Sequence, residues 1–185
     1  MILPIYIYGT PVLRQPTEEI TANYPELQAL IDNMLETMAH ANGVGLAAPQ
    51  IGRSIRLFVL DVSPYAEDYP ELKDFVRVFI NPTITERGGE EVPFEEGCLS
   101  LPGLSEVVHR PSEITISYTD RNWQPVTEHL TGIPARVAQH EYDHLEDVLF
   151  VDRLSPIRKR MLQSRLKNMA RGRVKPQYSY RASGK

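Results

Sequence analysis

The sequence predicts an α+β domain built around a mostly antiparallel sheet, and three observations lead to that prediction. Segments 55–60, 75–80 and 114–118 are rich in β-branched and aromatic residues with partial alternation, as in strands. Residues 120–123 are typical of a hairpin turn, here leading into a further strand at 126–130. Helical segments flank these strands without a repeated βαβ unit, which is the order of elements in α+β domains.

Three segments are predicted helices. Apolar residues recur at helical spacing over 25–40, and this helix should end at Asn42 and Gly43. A second helix begins near Pro134, a residue type favoured in a first turn, and runs to about residue 145. The third helix covers about 156–171 and is strongly basic.

Length and composition favour one globular domain with a tail, and the basic helix and tail occupy residues 156–185. Hydrophobic residues make up 42% of the chain and charged residues 24%, which argues against a disordered or membrane protein. No apolar run approaches the roughly 20 residues of a membrane helix, and the first residues lack the features of a secretory signal. The single cysteine, Cys98, permits no intrachain disulfide and fits a reducing compartment. We therefore expect a cytoplasmic protein.

Charge is distributed unevenly along the chain. Residues 153–185 contain eleven Lys or Arg and no Asp or Glu, which leaves residues 1–152 with a formal charge of −15. Such a basic segment favours a polyanionic partner, most plausibly RNA, and the alternative is a solvated basic helix without a partner. The last dozen residues, around Pro176 and Gly184, are expected to be frayed.

The strongest local signal is the H-E-x-x-H pattern of His140, Glu141 and His144 on the second predicted helix. Residues four apart on a helix are neighbours, so the two imidazoles can bind one metal ion while Glu141 lies beside them as a base. So short a pattern also occurs by chance, and the alternative is two surface histidines on a polar helix.

The third metal ligand must come from upstream of this helix. A metzincin would have histidine where Phe150 stands and glycine where Asp147 stands. A thermolysin-like site needs a downstream glutamate, and no acidic residue follows Asp152. A thiolate is the soft, high-affinity ligand for a first-row metal, although a lone cysteine can also be a small buried hydrophobe. The upstream candidates are a carboxylate, His40, His109, His129 and Cys98.

A glycine-rich segment covers residues 43–52. It matches the G-x-G-x-x-A variant of a dinucleotide-binding loop, but here a helix precedes it where that loop requires a strand. The segment is better interpreted as a tight backbone edge that an extended substrate can approach, with Gln50 as a side-chain donor. An ordinary glycine-rich turn is the alternative.

Three segments in this order, 43–50, 96–100 and 139–144, resemble the signature motifs of the peptide deformylases. The resemblance extends to 9–14 and 149–153, and so covers about residues 1–155. It implies mostly antiparallel sheets packed around a central helix that carries the H-E-x-x-H motif. It also implies removal of the formyl group from the N-terminal formyl-methionine of newly synthesised proteins, with release of formate.

The resemblance further implies one divalent metal ion held by Cys98, His140 and His144, with an open fourth position. Fe(2+) is the usual metal in this family, and Ni(2+), Co(2+) or Zn(2+) can substitute. Glu141 would accept and return the proton, while the backbone N–H of Leu99 and the side-chain amide of Gln50 would stabilise the oxyanion.

Substrate contacts follow from matching positions in the family. Backbone pairing with an extended peptide is expected at Val44 and Gly45 on one side and at Gly97 on the other. Glu96 and Arg110 match an ion pair that supports Cys98. The expected walls of the methionine pocket are Val44, Phe94, Ile133 and Val137.

Two parts of the chain depart from the family pattern. Asp147 replaces a glycine, and aspartate tolerates the left-handed conformation better than most residues. The basic tail follows no motif, but in the family a basic C-terminal helix can bind the ribosome, and this tail would suit ribosomal RNA. The expected RNA contacts are Arg158, Lys159, Arg160, Arg165, Lys167, Arg171 and Arg173. Competing hypotheses are a structural metal clip, an RNA-binding adaptor and a general metallopeptidase; a clip would normally use four protein ligands, and only three are found.

Overall fold

The computed structural model describes residues 1–183 and confirms the α+β prediction. Five strands form one antiparallel sheet in the order β2-β3-β4-β5-β6, and β1 pairs with β7 in a separate two-stranded parallel sheet. The strands are β1 Ile5–Tyr6, β2 Gly45–Ala47, β3 Leu57–Asp61, β4 Val76–Cys98, β5 Leu101–Thr119, β6 Pro125–Thr131 and β7 Tyr180–Arg181. The helices are α1 Leu27–His40, α2 Gly132–Leu145 and α3 Pro156–Ala170.

Strand β3 shows how the main sheet is covered on both faces. Side chains alternate across a strand, so Phe58 and Leu60 point to one face while Leu57 and Val59 point to the other. The first pair joins the apolar cluster around α2, and the second pair joins the cluster around α1. The sheet is therefore packed between α1 and α2, with α2 in the interior.

Strands β4 and β5 are much longer than the predicted segments at 75–80 and 114–118. Pro82, Gly89 and Pro93 interrupt the alternating pattern of β4, which hid the rest of the strand. The β4–β5 ladder shifts register around Pro82, between Ile80 and Thr83, and around Gly89, between Gly88 and Glu91, whereas Pro93 stays in register opposite His109. The hairpin closes through a two-residue turn, Leu99–Ser100, because Cys98 pairs with Leu101.

The helix predictions are correct to within two residues. Helix α1 begins at Leu27 rather than residue 25 because Glu26 adopts a left-handed conformation, with φ of 53°. It ends as predicted, with Asn42 at φ of 56° and the Gly43 amide donating to the carbonyl of Met38. Asp147, just past α2, has φ of 55° and so adopts the conformation expected for a glycine substitute.

The C-terminal segment is attached to the body. On α3, Leu162 and Met169 are buried in a third apolar cluster with residues of β5. The expectation of a frayed end is wrong for the described part, since β7 pairs with β1 and Ala182 is 6% exposed. Gly184, also covered by that expectation, lies outside the described residues. Within residues 1–183, no helix is both long enough and apolar enough to cross a lipid bilayer.

Truncation of a buried side chain on α3 should destabilise the whole fold. Leu162 is 3% exposed, so Leu162→Ala should lower the free energy of unfolding by about 2–4 kcal/mol, through lost burial and a cavity. Ile157 on the same helix is 76% exposed, and Ile157→Ala should change the stability by less than about 0.5 kcal/mol. Urea denaturation measures both variants, and equal effects would show that α3 does not pack on the body.

Candidate metal centre

Cys98, His140 and His144 converge on one point between β4 and α2. One potential ligand atom from each residue lies within 4.8 Å of the other two. The sulfur of Cys98 is 3.4 Å from Nε2 of His144. Helix α2 places its two histidines one turn apart, and the end of the β4–β5 hairpin brings the thiol to them. This is the only such group of three found among the described residues.

The two imidazoles are held in orientations that suit a metal ion. Nδ1 of His140 is 2.9 Å from Oε1 of Glu96, which leaves Nε2 as its available ligand atom. Nε2 of His144 faces the thiol, while its buried Nδ1 has no hydrogen-bond partner within residues 1–183. One soft sulfur and two imidazole nitrogens form a donor set that fits a first-row transition metal.

The pKa values of the two buried histidines shift in opposite directions. Burial, reinforced by the charge of His140, lowers the pKa of His144 well below its usual value, so this imidazole is neutral. Burial also opposes the charged form of His140, but contacts with Cys98 and Glu96 outweigh it and raise the pKa of His140. Since a metal binds the neutral imidazole, loading the site would release a proton from this region.

A buried ionic cluster surrounds the carboxylate of Glu96. Arg110 donates to both Glu96 oxygens at 2.7 and 2.9 Å, and Arg136 donates to one of them at 2.8 Å. Burial alone would raise the pKa of Glu96, but hydrogen bonds from His140 and Arg110 hold it well below its usual range. Arg110 also donates to Asp143 at 2.8 Å, which ties the cluster back to α2.

Arg136 is a member of this cluster that the sequence predictions missed. It is 7% exposed, donates to the carbonyl of Val108 at 3.0 Å, and its guanidinium lies 5.4 Å from the ring centre of Phe94. The sequence did contain one indication of this role. Arg136 lies one turn before His140, on the same helix face as Ile133 and Val137. An arginine on that apolar face requires a buried anion as partner.

Glu141 lacks the partners that satisfy the other buried charges. Its side chain is buried, and Oε2 has no hydrogen-bond partner among residues 1–183. Burial raises the pKa of Glu141 to about 7. Gly45 on β2 lies directly against it, because a Cβ atom at position 45 would be 2.5 Å from Oε1 of Glu141. The missing side chain at position 45 therefore leaves room for this carboxylate.

A cavity of about 640 Å³ opens beside the three potential ligands. Of the four predicted pocket walls, Val44, Phe94 and Val137 line it together with Glu141. The fourth, Ile133, lines instead an adjacent hollow of about 180 Å³ that also contacts Phe94. Several residues of the lining were not predicted as site residues, among them Tyr65, Pro176 and Tyr178.

Backbone edges border the cavity on two sides, as expected for an extended ligand. Gly45 belongs to β2, which is the edge strand of the five-stranded sheet. Gly97 lies near the end of β4 on the other side, and both glycines line the cavity. An edge strand offers free N–H and C=O groups for pairing with a further strand.

Gln50 and Leu99 both line the cavity. The Oε1 atom of Gln50 accepts from the Ala47 amide at 2.9 Å, which directs its Nε2 group toward Ser100 Oγ at 3.1 Å and Cys98 Sγ at 3.5 Å. Leu99 follows Cys98 in the hairpin turn. Two potential N–H donors are therefore held next to the thiol.

The α+β fold and this site together define a protein of the H-E-x-x-H type, in which two helix histidines and a cysteine surround a potential metal position beside an open cleft. A family model described as polypeptide deformylase matches residues 2–160. The chain thus belongs to the peptide deformylase family, whose members are hydrolases that act on N-terminal formyl groups. The resemblance seen in the sequence motifs is confirmed.

Individual relatives support the same assignment. The peptide deformylase of Christiangramia forsetii is 48% identical and covers 98% of this chain and 96% of its own length. That of Flavobacterium johnsoniae is 49% identical, covering 96% and 94%. The crystal structure of a peptide deformylase from Legionella pneumophila superimposes with a TM-score of 0.80 at 39% identity, covering 94% and 98%. A Synechococcus elongatus deformylase in complex with actinonin gives 0.78 at 39% identity, covering 88% and 87%.

A methyl group at position 45 should disturb the Glu141 carboxylate. We expect Gly45→Ala to lower kcat/KM for a formylated peptide by roughly 100-fold, because displacement of a reacting group by about 1 Å has effects of that size. Gly88→Ala is the matched control, since a Cβ there meets no atom within 4 Å. Steady-state kinetics and metal content are measured for both variants. Wild-type kinetics in Gly45→Ala would mean that Glu141 does not need this space.

Proposed function

We propose that this protein hydrolyses the amide bond between the formyl group and the N-terminal methionine of newly synthesised proteins, releasing formate. The observation that carries the proposal is the buried Glu141 carboxylate, which has one oxygen without a hydrogen-bond partner and which lines a cavity together with Cys98 and His140 of the Cys-His-His group. Family membership supplies the substrate class. Such substrates are made in the cytoplasm, where we place the activity.

Cys98, His140 and His144 would hold one divalent metal ion, and we propose Fe(2+), with Ni(2+), Co(2+) or Zn(2+) able to substitute. When bound, the ion supplies Lewis-acid chemistry that lowers the pKa of a water molecule and polarises the formyl oxygen. Glu96 supports this set by fixing the ring of His140 through Nδ1. Arg110 and Arg136 in turn keep Glu96 ionised and in place.

Glu141 would carry the proton through the reaction. A pKa of about 7 means that the carboxylate can accept a proton near neutral pH and release it again. It accepts one proton from the attacking water, whose oxygen bonds to the formyl carbon. The carbon–nitrogen bond then breaks, and Glu141 returns the proton to the amine. The oxygen of the water is thereby transferred to formate, and the proton that Glu141 carried is transferred to the new amino terminus.

Gln50 and the Leu99 amide would stabilise the negative charge that develops on the formyl oxygen. Preorganised N–H donors are effective because they need no rearrangement when that charge forms. The Gln50 amide meets this condition, since Ala47 fixes its oxygen and leaves its Nε2 group directed at the thiol region.

The cavity supports selection of methionine at the substrate's N-terminus. Val44, Phe94 and Val137 offer an apolar surface to an unbranched thioether side chain. The substrate backbone would pair with the edge at Gly45 and with Gly97 across the cavity, by strand addition. Formyl is the smallest acyl group, and crowding around Glu141 and the ligands disfavours acetyl groups and internal peptide bonds.

The decisive experiment is formate release from a formyl-Met peptide by protein prepared without oxygen and loaded with Fe(2+). Glu141→Gln should lower kcat by about 10²–10⁴-fold, because it removes the proton carrier but keeps the shape of the side chain. It should retain metal and have equal or higher stability, since burial opposes the ionised form of Glu141. The acetyl-Met peptide serves as the substrate control.

Other outcomes separate the alternatives. Cleavage of unformylated peptides would indicate a general metallopeptidase. Absence of any release by folded, metal-loaded protein would contradict the proposal and favour a structural metal clip or an RNA-binding adaptor.

We further propose that α3 binds ribosomal RNA. On its exposed surface, Arg160 and Lys167 are basic residues two turns apart. Two of the predicted RNA contacts are instead held by the body, since Arg158 pairs with Glu106 and Arg165 donates to the Gly103 carbonyl. The remaining basic residues considered for RNA binding are Lys159, Arg171 and Arg173.

Removal of exposed charge from α3 should weaken ribosome binding. The double variant Arg160→Ala/Lys167→Ala should co-sediment with ribosomes less than wild type at moderate salt, because it removes two phosphate contacts. The control Arg53→Ala/Lys73→Ala removes two exposed charges elsewhere and should behave as wild type. Equal sedimentation of all three proteins would contradict the proposal. Both double variants should release formate from short peptides at the wild-type rate.

A further inference from the structure

The C-terminal segment 172–183 returns from α3 to the cavity. The match to the family model ends at residue 160, so this segment lies beyond the part of the chain that the model covers. Pro176 and Tyr178 line the same cavity as Glu141 and Cys98. A segment that the sequence assigned to a basic tail therefore forms part of the wall of the candidate active site.

Tyr178 makes a specific contact with the turn that carries Leu99. Its hydroxyl donates to the Leu99 carbonyl oxygen at 2.6 Å, and its side chain is half-buried. Burial raises the pKa of Tyr178, so the hydroxyl keeps its proton and remains a donor at neutral pH. This bond fixes the carbonyl side of Leu99, the residue whose N–H points to the reacting region in the proposed function.

The other residue of that turn, Ser100, is tethered to β1. Its carbonyl accepts from the Tyr8 amide at 2.7 Å, and its hydroxyl donates to the Tyr6 carbonyl at 2.6 Å. The same hydroxyl accepts from Nε2 of Gln50. Ser100 therefore connects the turn, the Gln50 amide and β1.

Strand β1 is itself held by the C-terminal segment. The Ile5 amide donates to the Ser179 carbonyl at 2.9 Å, and the Ile7 amide donates to the Arg181 carbonyl at 3.0 Å. We call β1 and β7 together the terminal sheet. Ser100 is thus anchored to β1 through Tyr6 and to Tyr8 just after it, while Leu99 is anchored through Tyr178 to the residues that lead into β7.

The geometry points to a role for segment 172–183 in the reaction itself: Tyr178 is a positioning residue that holds the Leu99–Ser100 turn so that the Leu99 N–H meets the developing oxyanion. This inference rests on the proposed function. An N–H donor aimed at a charge that forms only in the transition state affects kcat more than KM. Loss of the Tyr178 hydroxyl should therefore lower kcat without weakening substrate binding.

The test compares Tyr178→Phe with Tyr180→Phe in the full-length, Fe(2+)-loaded enzyme on a formyl-Met tripeptide. Each change removes one hydroxyl and keeps the ring. The Tyr180 hydroxyl bonds only within the segment, to the carbonyls of Gly172 and Val174, so it is a matched control. We expect Tyr178→Phe to lower kcat about three- to tenfold, the range for loss of one hydrogen bond, with KM within twofold. Tyr180→Phe should stay within twofold of wild type in both constants.

Several outcomes would overturn the inference. These are unchanged kcat in Tyr178→Phe, an equal loss of kcat in both variants, or a rise in KM alone, which would make Tyr178 a substrate contact. A truncation after Gly172 should lose at least as much kcat as Tyr178→Phe, and wild-type kcat in that protein would also overturn it. Because wild-type activity is measured first, failure of the proposed function is recognised separately from failure of this inference.

Discussion

The structure around the candidate active site depends on pairing of buried charges. Arg110, Asp143, Glu96 and Arg136 are all buried, with exposed fractions between 1% and 7%. An unpaired charge in that position would cost several kcal/mol, so each must meet a partner of opposite sign. The two guanidinium groups and two carboxylates do so and join β4, β5 and α2 at one point. The imidazole of His140 takes its orientation from the same cluster, which makes the fold and the metal position parts of one constraint.

The charge of Glu141, the residue that follows His140, is not paired in this way. It is equally buried but lacks a cationic partner, and its pKa rises accordingly. Such a carboxylate destabilises the fold, and it is retained where a proton must be exchanged at neutral pH. Gly45 contributes by leaving space for it. His140 and Glu141 are adjacent on α2 but differ in role. The imidazole of His140 is fixed by its contact with Glu96, whereas the carboxylate of Glu141 is available to exchange a proton.

The two ends of the chain act together near the cavity. β1 and β7 meet in the terminal sheet, and the Leu99–Ser100 turn bonds to Tyr6 of β1 and to Tyr178, two residues before β7. This turn follows the only cysteine, so anything that positions it also positions a potential metal ligand. In this arrangement residues 156–183 have two surfaces. One, at Tyr178, faces the cavity, and the other is the basic surface of α3 that faces solvent. The proposed roles in catalysis and in RNA binding therefore need not compete.

The sequence by itself determined the features that depend on local spacing. Helical geometry places His140 and His144 on one face whatever the rest of the fold, and the periodicity of α1 and the turn at residues 120–123 are equally local. Other features arise from contacts between residues distant in sequence, and only the tertiary structure decided them. The pairing of Arg136 with Glu96 requires α2 to pack against β4, and the position of Ile133 beside the hollow that adjoins the cavity depends on how α2 is rotated over the sheet. The return of Tyr178 to Leu99 joins residues 79 positions apart, which no short sequence pattern records.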